Sequence, residues 1–148
     1  TLPLTTDPEE VRRFLETGSG PRVIFCTYQS QEVLSAGLVR PDGSKHTIDL
    51  GIFDEAHRTA NKAMTSLFAL GLSVSNIPIA KRAFFTATPR LATSQGGREE
   101  TSMLSMDDEN VYGRVVGKYL LSQAIEDGNV VDYDLWVPII SKAEVEES

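Results

Sequence analysis

Apolar and polar positions along the chain alternate between helical spacing and short continuous runs, and the two patterns take turns. Residues 6–17 place Val11, Phe14 and Leu15 on one helical face. Asp7 stands as the cap, Pro8 as the first helical residue and Glu10 at capping-box spacing. Gly18 to Pro21 stop that helix, and the apolar run Val23–Tyr28 predicts a buried strand of a parallel sheet. A second helix is expected over Gln31–Leu38, capped by Ser30, followed by a turn at Pro41-Asp42-Gly43. Thr47–Phe53 reads as a further strand that runs straight into Asp54-Glu55-Ala56-His57. Arg58–Gly71 has helical periodicity through Ala60, Met64, Leu67, Phe68 and Leu70. Ala83–Thr86 predicts a third strand, ending in Thr86-Ala87-Thr88-Pro89. Residues 92–106 form a largely polar stretch with adjacent Gly96 and Gly97, expected to be a mobile loop. Short helices are expected over Asp107–Gly113 and Ser122–Asp127, and a last strand over Leu135–Ile140. The acidic tail 141–148, with Glu144, Glu146 and Glu147, is expected to fray.

Strands separated by helical segments predict an α/β domain with a mainly parallel sheet flanked by helices. In such sheets chemistry gathers beyond the carboxyl ends of the strands. Three polar clusters fall at that kind of position: Thr27–Ser30, Asp54–His57 and Thr86–Thr88. Composition narrows this further. The 148 residues suit one domain, and 14 Lys and Arg against 21 Asp and Glu give a net charge of −7. An acidic domain has no general affinity for polyanions, so contact with nucleic acid must come from a local arrangement of groups. The single Cys26 excludes an internal disulfide and favours a reducing cytoplasm, and two histidines are too few for a His-rich metal cluster. No apolar run approaches the roughly 20 residues of a membrane span, so no membrane partner is expected.

Asp54 and Glu55 carry the sharpest chemical signal. Phosphoryl transfer to water needs one carboxylate to hold Mg²⁺, usually through water, and a second group to activate the attacking water. Two adjacent acids just past a buried strand suit that division of labour. The plainer reading is a solvated pair at a helix start, where negative charge is welcome. Chance alone produces the whole Asp-Glu-Ala-His string on the order of once in a thousand chains of this length. Plainer readings exist for the other positions as well. His57 fits a hydrogen-bonded histidine early in a helix, and Thr86 and Thr88 fit β-favouring residues before a turn. Tyr28 and Gln29 fit strand-end packing and a surface amide. Tyr112, Tyr119, Tyr133 and Trp136 read as packing residues, Cys26 as a buried inert thiol, and Arg58, Arg82 and Arg90 as solvated surface with phosphate binding as the alternative. A metal-dependent hydrolase built on Asp54, Glu55 and His57 is weakly supported. Adjacent residues of an extended chain point to opposite sides, and no second ligand cluster accompanies them.

Taken in order, these motifs resemble a family. Asp54-Glu55-Ala56-His57 after Ile52 and Phe53 is similar to the Walker B motif of superfamily 2 DEAD/DEAH-box helicases and translocases. Thr86-Ala87-Thr88-Pro89 is similar to their third motif. Thr27-Tyr28-Gln29-Ser30 resembles a segment of the branch related to restriction-enzyme helicase subunits. Met106 to Glu109, Tyr112-Gly113, Ala124-Ile125, Gly128 and Asp132-Tyr133 resemble that branch too, so the likeness covers roughly residues 5–140. It implies a RecA-like P-loop NTPase fold. By resemblance, Asp54 would bind Mg²⁺ through water, and Glu55 would be the general base. His57 would link the nucleotide site to the third motif, and Thr86 and Thr88 would couple ATP hydrolysis to movement. Thr27, with Gln29 or Ser30, would contact the DNA or RNA backbone, as hydroxyl and amide groups do without reading bases.

One family element has no counterpart in the sequence. The Gly-rich loop ending Gly-Lys-Ser/Thr, which cradles phosphates, does not occur, and none of Lys45, Lys62, Lys81, Lys118 or Lys142 stands in such a string. In the family that loop lies upstream of the Thr-Tyr-Gln-Ser segment, and a second RecA-like domain with its arginine finger lies downstream. The expectation is therefore the latter part of a first motor domain, lacking the phosphate-loop strand. Mg²⁺ and ATP would belong to the full-length parent and neither would bind tightly to this chain. The edge left by the absent strand would invite self-association. The competing expectation is a non-catalytic RecA-like module serving as an interaction platform.

Overall fold

A computed structural model describes residues 4–60, 66–91 and 104–134. The chain divides into two units, Thr1–Arg114 and Val115–Ser148.

In the first unit, helix α1 (Pro8–Glu16) begins as its sequence predicts. The Asp7 carboxylate accepts the Glu9 N–H at 2.9 Å and Pro8 sits in the first turn. Its apolar face meets helix α2 (Gln31–Gly37) where Gly37 permits close approach: a Cβ there would lie 2.6 Å from Val11 Cβ and 2.9 Å from the Pro8 carbonyl. Strand β1 (Ile48–Phe53) pairs in parallel with strand β2 (Ile79–Phe84), in the register Ile48 to Ile79 through Phe53 to Phe84. The core between sheet and helices is built from Leu38, Phe53, Ala56, Ile77 and Ile79, with Leu15, Leu34 and Phe84 packed around it. The Phe53 and Phe84 rings stack at 4.9 Å, and Tyr112 meets Phe84 edge-on at 5.1 Å. A second cluster gathers Ala69, Leu72 and Leu104. Leu104 is buried and Met106 N–H bonds the Arg90 carbonyl at 3.0 Å, so the end of the stretch expected to be a mobile loop is anchored. Helix α3 (Glu109–Tyr112) is capped by Asp108 and stopped by Gly113 at φ 72°.

Several expectations are corrected. Val23–Tyr28 is not a strand: 21–27 has no ladder partner among the described residues, and Val23 and Phe25 are exposed. An apolar run signals a tendency to be covered, and a strand also needs a neighbouring ladder. Cys26 is consequently exposed, although partial burial of the sulfur still raises its thiol pKa. Ser30 stands at the N-cap of α2, as expected, but its side chain makes no capping bond. It ends a 3-10 turn, Tyr28–Ser30, and its hydroxyl accepts from Thr27 Oγ1. The helix expected over Arg58–Gly71 is replaced, on either side of residues 61–65, by 3-10 turns at Ala56–Arg58 and Leu67–Leu72. Small residues let the Leu67–Leu72 turn lie close against the core. A Cβ on Gly71 would come within 2.8 Å of the Phe53 ring. β2 starts four residues earlier than its apolar end suggests, because Lys81 and Arg82 interrupt the apolar pattern. Arg82 reaches the Gly71 carbonyl with its Nε at 3.2 Å, and burial lowers its pKa. The expected strand Leu135–Ile140, Trp136 and the tail 141–148 lie outside the described residues.

The second unit contains helix α4 (Leu121–Glu126). Asn129 and Val130 N–H both bond the Ala124 carbonyl, and the Tyr119 hydroxyl donates to Asp127 Oδ2 at 2.7 Å while accepting from Asn129 Nδ2. Among the described residues no helix is long and apolar enough to cross a membrane.

Candidate functional site

The parallel pairing of β1 and β2 delivers two polar segments to the same end of the sheet. The main chain then continues the pairing past both strands. Phe85 N–H bonds the Phe53 carbonyl at 2.8 Å, and Ala56 N–H bonds the Phe85 carbonyl at 2.9 Å. Residues 54–57 and 86–88 are thereby fixed against one another before any side chain is considered.

Asp54 and Glu55 are both exposed. Asp54 Oδ1 accepts the N–H of Glu55 at 2.9 Å, and Glu55 adopts the left-handed conformation, φ 49° and ψ 44°. It is the single non-glycine residue with positive φ among the described residues. A left-handed residue costs about 1 kcal/mol or more, and this one turns the chain so that Ala56 enters the core while both carboxylates stay in solvent. Adjacent acids that would diverge along an extended strand are thus separated by a turn instead.

His57 joins the two segments. Its Nδ1 lies 2.9 Å from Thr86 Oγ1, 3.2 Å from Glu55 Oε2 and 3.4 Å from Thr88 Oγ1. The Glu55 carboxylate only accepts, and Thr86 Oγ1 also accepts the Thr88 N–H at 3.1 Å. These neighbours assign the proton to Nδ1. The sequence-predicted residues Asp54, Glu55, His57, Thr86 and Thr88 therefore form one cluster.

The Thr27–Ser30 segment reaches this cluster by another route. Thr27 and Gln29 are exposed, and Thr27 Oγ1 donates to Ser30 Oγ at 3.0 Å. Tyr28, between them, donates its hydroxyl to the Asp54 carbonyl at 2.7 Å. Burial, and then the Asp54 carboxylate, push its phenol up to about 12. The Tyr28 ring stacks with Phe68, and the Arg58 guanidinium lies 5.8 Å and 5.5 Å from the two ring centroids. Thr59, fully buried, bonds the Tyr112 hydroxyl at 2.9 Å, and burial raises the Tyr112 pKa. Sequence reading gave Tyr28 and Arg58 only general surface or packing roles. Their positions inside one polar cluster and directly after another were the available signal.

The donor set suits a magnesium ion held at arm's length. Among the described residues no group of three or more His, Cys, Asp or Glu is placed to hold a metal. Mg²⁺ commonly keeps several waters and takes only one or two carboxylates beside phosphate oxygens, and the exposed Asp54 carboxylate fits that use.

Parallel strands ending in an acidic box and a hydroxyl-rich box, bonded to each other, are consistent with part of a RecA-like α/β domain, and comparison with known proteins puts the chain among superfamily 2 helicase domains. The SWI2/SNF2 ATPase profile matches residues 5–147, and the chain belongs to that family. It is 33% identical over 135 residues to "Probable helicase A859L" of African swine fever virus (isolate Pig/Kenya/KEN-50/1950), covering 91% of this chain and 13% of the viral protein. Among solved structures it is similar to the ATP-dependent Type ISP restriction-modification enzyme LlaBIII bound to DNA, with a TM-score of 0.63 and 32% identity over 88% of this chain and 9% of that one. A nuclease-deletion mutant of the Type ISP enzyme LlaGI, in complex with a DNA substrate mimic, matches with a TM-score of 0.60 and 32% identity. That match covers 83% of this chain and 10% of the other. The chain thus spans a small part of each of these relatives.

Proposed function

We propose that this chain supplies the water-activating and coupling half of a nucleic-acid-dependent ATPase, within a longer helicase or translocase. The observation that carries the reading is the 2.9 Å contact between His57 Nδ1 and Thr86 Oγ1, which ties the acid box to the Thr-Ala-Thr segment. Asp54 would hold Mg²⁺, which when bound would supply charge neutralisation for phosphate oxygens. Glu55 accepts the proton of the attacking water as general base, its carboxylate standing in solvent and 3.2 Å from the imidazole that orients it. His57 passes the position of that carboxylate to Thr86 and Thr88. Thr27, Gln29 and Ser30 offer hydroxyl and amide groups to a DNA or RNA backbone, a use supported by the DNA-bound state of the two Type ISP relatives. No phosphate-cradling Gly-Lys-Ser/Thr loop occurs in this sequence, so this chain alone is expected neither to bind ATP tightly nor to turn it over. Self-association through the edge of β2 that has no partner strand among the described residues belongs to the same reading.

The test is ATP turnover of the intact protein with and without DNA or RNA oligonucleotides. Turnover stimulated by nucleic acid, and lowered at least about a hundredfold in Glu55→Gln, is expected. An unchanged rate in Glu55→Gln removes the catalytic assignment. Nucleic-acid binding with no turnover in the wild type favours the non-catalytic interaction module.

A further inference from the structure

Tyr28 grips the acid box at two points. Its hydroxyl donates to the Asp54 carbonyl at 2.7 Å, and its ring, stacked with Phe68 at a centroid distance of 6.0 Å, lies against the guanidinium of Arg58. Arg58 closes the 3-10 turn that carries His57. The Asp54 carbonyl belongs to the same peptide plane as the Glu55 N–H, and that N–H is held by Asp54 Oδ1. One peptide therefore has its C=O fixed by Tyr28 and its N–H fixed by the proposed Mg²⁺-holding carboxylate. Rotating this plane turns the Asp54 carboxylate and displaces Glu55 from its left-handed conformation together.

The other side of Tyr28 faces a different task. Its chain neighbours Thr27 and Gln29 are exposed, and Thr27 is bonded to Ser30 across the same 3-10 turn. A backbone phosphate or sugar drawing on the Thr27 and Ser30 hydroxyls would compete with that bond and shift the short turn that holds Tyr28. No second bonded path between the two segments is needed, because the phenol already spans them.

We propose that Tyr28 is a positioning residue that transmits occupancy of Thr27–Ser30 by a nucleic-acid backbone to the Asp54–Glu55 peptide. This rests on the reading of the chain as part of a nucleic-acid-dependent ATPase. Tyr28 touches neither nucleotide nor metal; it sets the geometry of the groups that do. Misplacement of a reacting group by a fraction of a bond length suffices to slow a step substantially.

Tyr28→Phe keeps the ring and its stacking and removes only the hydroxyl. It is to be compared with wild type in the intact protein, using a single-stranded DNA oligonucleotide and an RNA of the same sequence as activators. Expected for Tyr28→Phe is a fall of about tenfold in kcat at saturating activator, with KM for ATP and the anisotropy-measured affinity for the oligonucleotide within about twofold of wild type. Arg58→Lys, which keeps the charge and loses the planar stacking, is expected to fall in the same direction by a smaller factor. Wild-type turnover that is stimulated normally, with both variants responding equally to wild type, overturns the proposal and leaves the functional reading standing. Loss of oligonucleotide affinity in Tyr28→Phe also overturns it, since the hydroxyl would then be a direct contact. Absence of any stimulation in wild type removes the functional reading and this proposal with it.

Discussion

Tyr28 and Glu55 carry opposite kinds of cost. Glu55 sits in a backbone conformation that a side chain disfavours, and Tyr28 keeps its phenol neutral in a place where ionisation is unwelcome. The second has a pH consequence whose sign follows from linkage. The phenol pKa is raised from its ordinary 10 to about 12 in the folded chain, by burial first and by the Asp54 carboxylate second. Its stabilising contribution is therefore complete below pH 10 and is lost as pH rises toward 12, where the unfolded chain has released its proton and the folded one has not. In a spectrophotometric titration, the tyrosinate signal missing from Tyr28→Phe is expected to develop near pH 12. A difference signal centred at the ordinary value would show that the phenol is not buried beside the Asp54 carboxylate in solution.

At the scale of elements, Gln31 and Gly71 join α2 to the turn Leu67–Leu72. The buried Gln31 side chain accepts the Gly71 N–H at 2.6 Å, and the Gly71 carbonyl accepts from Arg82 on β2. Gln31→Leu leaves that N–H without its acceptor and is expected to destabilise the chain by about 1–3 kcal/mol, read from the urea midpoint. A loss within about 0.5 kcal/mol would mean that the glycine amide finds water instead. The same elements explain what was readable beforehand. The boundaries of α1 and β1 were legible because a cap, and a short mainly apolar run ending in a polar box, act locally. The register of motifs was legible because both boxes follow strands. The described end of the span Arg58–Gly71 misled because Leu67, Phe68 and Leu70 keep an apolar spacing that a 3-10 turn also accommodates, with the small Ala69 and Gly71 buried beneath it. Val23–Cys26 misled because apolarity announces a need for cover and says nothing of what provides it. The link through Tyr28 was illegible, since a side chain bonding a backbone carbonyl 26 positions away leaves no periodic trace.

For the whole molecule, the exposed face and edges of the sheet matter most. Among the described residues it has two strands, and Leu50 and Ile52 of β1 are 54% and 66% exposed, with Phe85 beyond β2 at 57%. Strand edges and apolar faces left open favour association. Light scattering of this chain is expected to give a mass that rises with concentration above that of a 16.2 kDa monomer. A constant monomer mass across the range would exclude self-association through β2. The bonds from Phe85 to Phe53 and from Ala56 to Phe85 have a different bearing, on how the two boxes can be taken apart. They use amides and carbonyls alone, so trimming side chains one at a time across 54–57 and 85–88 leaves the fastening intact. Such a scan would report many small, unrelated defects and miss what they share. Only a residue without an amide hydrogen breaks the fastening: proline in place of Phe85 removes the bond to the Phe53 carbonyl, and proline in place of Ala56 the bond to the Phe85 carbonyl.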